Sequence, residues 1–212
     1  MIRLCIAVKN IRYVACSGGV DSMALLHFLR QANKEVEVAF YNHNTETSFE
    51  AEKFVIRYCL ENGIPFTKGW NQNTKPKQDS WEEFWRNERY KFLHSLKGEV
   101  ATAHHLNDVA ETYLFGCIHG RPKFIHREFH NVVRPLLLTP KSVLISWCKR
   151  HKVPFIEDES NKDTRFNRNR IRHNILPEIH QVNPGFLTVI KRLQKEKWAG
   201  PGSSCGYKAT RS

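Results

Sequence analysis

Short apolar runs alternate with longer amphipathic stretches over the first two-thirds of the chain. The apolar runs predict five strands, at residues 12–16, 35–41, 65–69, 99–103 and 132–134. The amphipathic stretches predict helices at residues 22–30, 50–62, 80–96, 106–117 and 140–149, because their apolar positions recur every three or four residues. Such alternation is typical of parallel strands joined by crossover helices. We therefore expect an α/β fold, a three-layer parallel sheet with helices on both faces.

The pattern changes near residue 154, and we expect three segments in all. Residues 1–153 form the α/β domain, and residues 154–197 form a basic helical extension that completes the catalytic unit. Within this extension a polar stretch at residues 157–174 leads into a helix predicted at 184–197. The remaining residues, 198–212, are rich in glycine and serine and are expected to form a flexible tail.

A glycine-containing loop joins the first predicted strand to the first predicted helix. Its sequence is Ser17-Gly18-Gly19-Val20-Asp21-Ser22. Two glycines let the backbone turn tightly, and the N–H groups at the start of the following helix favour an anion. The loop is not a Walker A motif, because no Gly-Lys-Ser/Thr follows. Asp21 would repel a bound phosphate unless it held Mg²⁺ or another cation.

A histidine–carboxylate motif follows the fourth predicted strand. His104 and Asp108 are four residues apart, and Asp108 and Glu111 are three apart, so they share one helix face. Such groups can bind Mg²⁺, hold an ammonium or move a proton. A solvated helix face is the alternative for this motif taken alone. Because both motifs follow parallel strands, we expect them to converge on one pocket.

Two arginine-containing segments are candidates for binding phosphate. Four arginines lie within residues 165–173, namely Arg165, Arg168, Arg170 and Arg172. Arginine makes forked contacts to phosphate, and a solvated basic helix is the alternative. In the helix predicted at 80–96, Glu82, Arg86 and Arg89 follow one face. A simple Glu–Arg helix pair explains that second set equally well.

The net charge of the chain indicates a polyanionic partner. Lysine and arginine number 33 against 21 acidic residues, which gives +12. Nucleic acid fits this surplus best, and an anionic membrane is the second option. The sequence argues against a membrane protein, because no apolar run approaches the ~18 residues of a spanning helix. Six scattered cysteines without a Cys-x-x-Cys pair are typical of a cytoplasmic protein.

The loop at 17–22 resembles that of the ATP pyrophosphatases, and the ordered motifs resemble the tRNA(Ile)-lysidine synthetase family. The resemblance covers roughly residues 12–180. The motifs that carry it are Ser17–Ser22, Glu82 with Arg86, Arg89 and Tyr90, His104–Glu111, Arg134-Pro135-Leu136-Leu137, Glu157–Asn161 and Arg168–His173. The last two are the most discriminating, because many ATP pyrophosphatases share the first. The resemblance implies a fold of the adenine nucleotide alpha hydrolase type.

The family's chemistry implies two steps and a set of partners. ATP adenylates the wobble cytidine of the tRNA(Ile) that has a CAU anticodon, and pyrophosphate leaves. Free L-lysine then displaces AMP to give lysidine. The resemblance implies ATP bound by Ser17–Ser22, Mg²⁺ at Asp21, and RNA held by Arg165, Arg168, Arg170 and Arg172. Its implied catalytic residues are Asp21, Arg86, His104, Asp108, Glu111 and Arg172.

Three departures and two rival functions stay open. Family members usually carry further domains that bind the acceptor stem of the tRNA. Residues 116–122 keep little of the glycine-rich stretch that is usual in the family. Asn42-His43-Asn44 stands where the family often has His-His-Gly or His-Asn-Leu. A related tRNA-thiolating enzyme is one rival, although such enzymes often use paired cysteines. An inactive RNA-binding homologue is the other. A homodimer is one of the assemblies that the sequence leaves open.

Overall fold

We describe a computed structural model that covers residues 2–78, 80–157 and 167–199. The strands are β1 Ile11–Ala15, β2 Glu37–Asn42, β3 Phe66–Trp70, β4 Glu99–Ala101, β5 Glu128–Phe129 and β6 Val132–Val133. The helices are α1 Val20–Gln31, α2 Glu46–Glu61, α3 Trp81–Ser95, α4 Leu106–Ile118, α5 Lys141–His151, α6 Asn167–Arg170, α7 Leu176–Val182 and α8 Phe186–Ala199, with a π-helical turn at Ile171–Ile175. Within the described ranges, no helix is both long and apolar enough to cross a membrane.

The six strands form one sheet in the order β3-β2-β1-β4-β6-β5. Five of them run parallel, and β5 pairs with β6 in the antiparallel sense at the edge. The chain proceeds from β1 towards β3 on one side and from β4 towards β6 on the other. The strand order therefore reverses between β1 and β4, which is where ligands bind in open α/β sheets.

The two faces of the sheet bury different residues, as expected for strands covered on both sides. Val14, Val38, Phe40, Ala101 and Val133 belong to one apolar cluster, together with residues of α1, α2 and α5. The alternate positions Tyr13, Ala39, Val100 and Val132 pack with Leu93 of α3 on the other face. This alternation follows from the period of two along a strand. The predicted α/β fold with helices on both faces is confirmed.

Most predicted elements are present, with shifted ends. Helix α2 begins at Glu46 rather than at residue 50, because Thr45 and Ser48 form a capping box. The predicted polar stretch at 157–174 contains α6 and most of the π-helical turn, and α7 follows where no element was predicted. Strand β5 was also absent from the prediction. Both residues of β5 are exposed, so the strand leaves no apolar run in the sequence.

The chain divides into two compact units, Met1–His105 with His126–Asn161, and Leu106–Ile125 with Lys162–Ser212. The first contains the sheet, α1 to α3 and α5. In the second, α4 packs against α8 and the π-helical turn. Gly116 of α4 lies so close to the following loop that a Cβ would come within 2.5 Å of the Arg121 carbonyl oxygen. The predicted segment boundary at 153/154 stays a prediction, as does the flexible tail, of which residues 200–212 lie outside the described ranges.

Close packing of β3 against α3 fixes the helix that contains Arg86 and Arg89. A Cβ on Gly69 would lie 2.5 Å from the Cδ2 atom of Phe92 and 2.7 Å from its Cγ atom. The Phe92 ring also contacts Tyr41, with 5.7 Å between ring centroids. Gly69 thus leaves the space that the Phe92 ring occupies.

We expect Gly69→Ala to lower the free energy of unfolding by about 1–3 kcal/mol, because the added methyl group overpacks the contact with Phe92. Urea denaturation measures the change. In the double variant Gly69→Ala/Phe92→Leu the combined loss should be smaller than the sum of the two single losses, since the smaller side chain removes the clash. Additive losses would contradict this account of how α3 is positioned.

Candidate active site

The loop at 17–22 lies between β1 and α1 and is held by its own side chains. The Ser22 hydroxyl donates to the Gly19 carbonyl at 2.9 Å and accepts from the Ser17 amide at 3.2 Å. Gly18 has a φ of 83°, and a Cβ there would lie 3.1 Å from Phe54. Ser22 therefore shapes the loop, and its hydroxyl hydrogen is already used within it.

The start of α1 is suited to an anion. The helix begins after Gly19, and no side chain in the described part of the chain caps it. The first N–H groups of an α-helix lack intrahelical acceptors and bind anions well. The loop also lies after β1, beside the point where the strand order reverses. Both features support the sequence-based assignment of a phosphate-binding loop.

Asp21 lies in the first turn of α1 and meets two groups that can be positively charged. Its Oδ2 atom is 3.4 Å from His105 Nε2 and 3.7 Å from Lys141 Nζ. Its Oδ1 atom is buried and has no hydrogen-bond partner among the described residues. A buried carboxylate oxygen beside a phosphate loop is a suitable Mg²⁺ ligand, because Mg²⁺ usually takes one or two carboxylates together with substrate phosphates.

The two histidines that follow β4, His104 and His105, have different contacts. His104 Nδ1 lies 2.9 Å from the Thr102 hydroxyl, whereas His105 is buried and contacts Asp21. Thr102 is anchored in turn, because its amide donates to the Val133 carbonyl at 2.9 Å. The segment is thus fixed to the sheet on one side and joined to the loop on the other.

Arg86 and Arg89 lie around an aromatic ring of their own helix. Their guanidinium groups are 5.0 and 5.9 Å from the centre of the Tyr90 ring, and that of Arg134 is 5.8 Å away. Arg134 also donates to the Tyr90 hydroxyl at 2.8 Å. The sequence offers two interpretations of Arg86, a group that binds phosphate and a simple helix pair with Glu82. The structure adds Tyr90 as an aromatic neighbour of Arg86.

In the second unit, Arg172 of the π-helical turn forms a forked ion pair with Glu111 of α4. Its Nε and Nη2 atoms donate to the two Glu111 oxygens at 2.7 and 2.8 Å. The Nη2 atom is also 3.9 Å from Asp108. The Glu111 side chain is only 2% exposed, whereas that of Asp108 is 22% exposed. The two carboxylates therefore share a cation but differ in access to solvent.

The other arginines of the basic segment have separate surroundings. Arg168 lies with its guanidinium 5.9 Å from the centre of the Phe115 ring. Arg170 is exposed, and Arg165 lies outside the described residues. Four arginines that the sequence groups together thus include one in an ion pair, one near an aromatic ring and one facing solvent.

A family model described as a PP-loop domain matches residues 7–179. The chain belongs to the PP-loop domain family. It is 34% identical over 202 residues to the tRNA(Ile)-lysidine synthase of Thermosipho africanus, and 35% identical over 202 residues to that of Enterococcus faecalis. These matches cover 87% of this chain, but 47% and 44% of the two relatives. The chain thus spans less than half the length of these curated relatives.

Among solved structures, an NH3-dependent NAD synthetase from Campylobacter jejuni is similar to this PP-loop domain. The TM-score is 0.48 at 14% identity, and the match covers 94% of this chain and 91% of that one.

Two residues near the loop of this PP-loop domain escaped the sequence-based assignment. The sequence pattern gives His105 and Lys141 no site role, whereas both lie within 4 Å of Asp21 in the structure. Lys141 opens α5, where a positive charge is disfavoured by the helix dipole. A lysine in the first turn of a helix was therefore a usable signal of an anionic neighbour.

The segment after β2 departs from the family motif and has a structural role. The Asn42 side chain donates to Glu52 at 2.6 Å and accepts from the Asn44 amide at 2.7 Å. His43 contacts Tyr41 and Trp85 with its ring, and its Nδ1 atom is buried without a described partner. Burial, with a smaller contribution from the Arg89 charge, lowers the pKa of His43 to about 4. His43 is therefore neutral at pH 7.

We expect Arg172→Met to destabilise the protein by about 3 kcal/mol, because it leaves Glu111 buried without its cation. Arg170→Met is the matched control, since it removes an exposed arginine from the adjacent helix and should change stability by less than about 0.5 kcal/mol. Urea denaturation followed by circular dichroism measures both. Adding Glu111→Leu to Arg172→Met should recover most of the loss. Equal losses for the two arginine variants would contradict a structural role for the ion pair.

Proposed function

We propose that this chain is the catalytic part of a tRNA(Ile)-lysidine synthase, which uses ATP to activate a tRNA cytidine and joins free L-lysine to it. The observation that carries the proposal is the similarity to proteins of that name over 87% of the chain. The reaction joins carbon to nitrogen, so the protein is a ligase. The substrates are ATP, lysine and the tRNA(Ile) with a CAU anticodon.

In the proposed first step, the loop at 17–22 receives the phosphates of ATP. The N–H groups at the start of α1 offset the charge that develops on the departing pyrophosphate. Lys141 and His105 lie on the Oδ2 side of Asp21. Asp21 Oδ1 would hold Mg²⁺, which supplies charge neutralisation for the phosphates when it is bound.

In the proposed second step, Asp108 binds the ε-ammonium group of lysine. Arg172 occupies both oxygens of Glu111, so we assign the amine to Asp108, whose side chain is the more exposed of the two.

The amine must lose a proton before it attacks, because its pKa in water is about 10.4. His104 is our candidate acceptor, since it lies two residues before the start of α4 and its Nδ1 atom is oriented by the Thr102 hydroxyl at 2.9 Å. We assign Arg86, Arg168 and Arg170 to contacts with the RNA, as forked donors to phosphate. The target base must leave its stack to reach the activating groups.

The function is tested with labelled lysine. Purified protein, ATP, [¹⁴C]lysine and a tRNA(Ile) transcript with the CAU anticodon should give label in the RNA. A transcript with uridine at the wobble position is the control and should stay unlabelled. Absence of label from the CAU transcript would overturn the proposal, and sulfur incorporation from a thiol donor would indicate the thiolating enzyme instead.

Substitution of two aspartates should separate the two proposed steps. We expect Asp21→Asn to lower pyrophosphate release at least 100-fold, because it removes the proposed Mg²⁺ ligand beside the phosphates. RNA affinity should stay unchanged or rise, because the substitution removes a negative charge. Asp108→Asn should keep RNA-dependent pyrophosphate release but raise the lysine KM at least tenfold.

Glu61→Gln, at an exposed residue at the end of α2, is the matched control for removing one carboxylate charge. It should leave both steps unchanged. Unaltered ATP turnover in Asp21→Asn, or an unaltered lysine KM in Asp108→Asn, would contradict the corresponding assignment. An inactive homologue that only binds RNA would show neither effect.

A further inference from the structure

Positive charge is concentrated in the last quarter of the chain. Residues 162–212 contain 11 lysines and arginines against three acidic residues, so they account for +8 of the net +12. The arginines at 165–172 provide only part of this surplus. Four further basic residues lie within α8, namely Lys191, Arg192, Lys195 and Lys197.

Helix α8 has an apolar side and a basic side. Ile190 and Gln194 are buried, and the Gln194 side chain donates to the Ile125 carbonyl at 3.1 Å. Thr188, Lys191, Arg192 and Lys195 are spaced by three, one and three residues, so they follow one face of the helix, away from the buried positions. We name these four residues the α8 basic face. It extends over about 10 Å, since an α-helix rises 1.5 Å per residue.

The single acidic residue of α8 does little to neutralise this face. Arg192 Nε lies 3.8 Å from Glu196, and the two side chains are 55% and 43% exposed. An ion pair so open to solvent contributes little and exchanges readily for another anion. The α8 basic face therefore presents cations that an incoming phosphate can engage.

We propose that the α8 basic face binds the phosphodiester backbone of RNA. This inference rests on the proposed function for the identity of the RNA as a tRNA. The occupant is a backbone rather than bases, because the four side chains are cationic or hydroxylic and include no aromatic ring on which a base would stack. Contacts of this kind position an RNA without reading its sequence.

An anionic membrane fits this face less well than RNA does. A helix that lies in a membrane surface needs an apolar side available to the lipid. In α8 the central residues of the side opposite the basic face, Ile190 and Gln194, are buried, and the helix packs against α4. These central residues are therefore not available to lipid, and the exposed charge suits a nucleic-acid backbone better.

The test compares two double variants that remove the same charge. Arg192→Gln/Lys195→Gln removes two cations from the α8 basic face. Lys9→Gln/Arg57→Gln removes two exposed cations from the sheet-containing unit. Binding of fluorescent tRNA is measured by anisotropy, without ATP or lysine, between 50 and 300 mM KCl. Circular dichroism checks that each variant is folded.

We expect the α8 variant to bind tRNA about tenfold more weakly near 150 mM salt. Its slope of log K against log salt should be shallower by about 1.5, since each lost phosphate contact removes roughly 0.7–0.9. The loss should be equal for tRNAs with CAU and other anticodons. The Lys9/Arg57 variant should keep the wild-type slope.

Equal losses in both double variants, or no loss in the α8 variant, would overturn the inference. So would binding to phosphatidylserine vesicles that the α8 substitutions abolish while RNA binding is kept. The readout does not depend on lysidine formation. If wild-type protein binds tRNA through α8 but incorporates no lysine, the proposed function is wrong. The inference that the α8 basic face binds RNA would still hold.

Discussion

The pairing of β1 between β2 and β4 is the constraint on which the candidate site depends. Because the strand order reverses there, the segments that follow β1 and β4 begin at neighbouring points on the same edge of the sheet. This adjacency brings His105, four residues after β4, to Asp21 in the first turn of α1. Strand β6 runs parallel to β4, so the segment after it starts at the same edge of the sheet. This segment leads to Lys141, which also contacts Asp21. His105 and Lys141 are far from the loop in sequence, so it is the strand order that brings them to Asp21.

Charges in this protein occupy positions that would be unfavourable without a partner. Lys141 lies in the first turn of α5, where the helix dipole disfavours a cation, and Asp21 offsets that cost at 3.7 Å. Glu111 is almost fully buried, and a carboxylate in such a place requires a cation and hydrogen bonds. Arg172 supplies both. Arrangements of this kind are more typical of functional sites than of a surface optimised for stability alone.

The sequence was sufficient for the layered fold but not for the contacts between distant residues. Apolar runs and helical periodicity located every parallel strand of the sheet and the helices α1 to α5, because burial on two faces leaves a strong pattern. Strand β5 leaves no such pattern, because both of its residues are exposed, and the turn that follows it contains His130 with a φ of 52°. Helix α6 lies in a charge-dense stretch, and α7 follows that stretch with seven residues, so both are too short to show clear apolar spacing. The pairing of Arg172 with Glu111 joins residues 61 positions apart, and no local spacing encodes it.

Asp21, Glu111 and Asp108 all carry a carboxylate, but their surroundings differ. Asp21 has one oxygen directed at His105 and Lys141 and another that is buried without a described partner, which suits a metal ion. Glu111 has both oxygens engaged by Arg172 and so holds a cation of the protein itself. Asp108 shares that cation at the longer distance of 3.9 Å and is more open to solvent. The spacing of three residues between Asp108 and Glu111 made them look equivalent in the sequence. Burial leaves Asp108 the more accessible of the two, which is why the proposed function assigns the substrate amine to it.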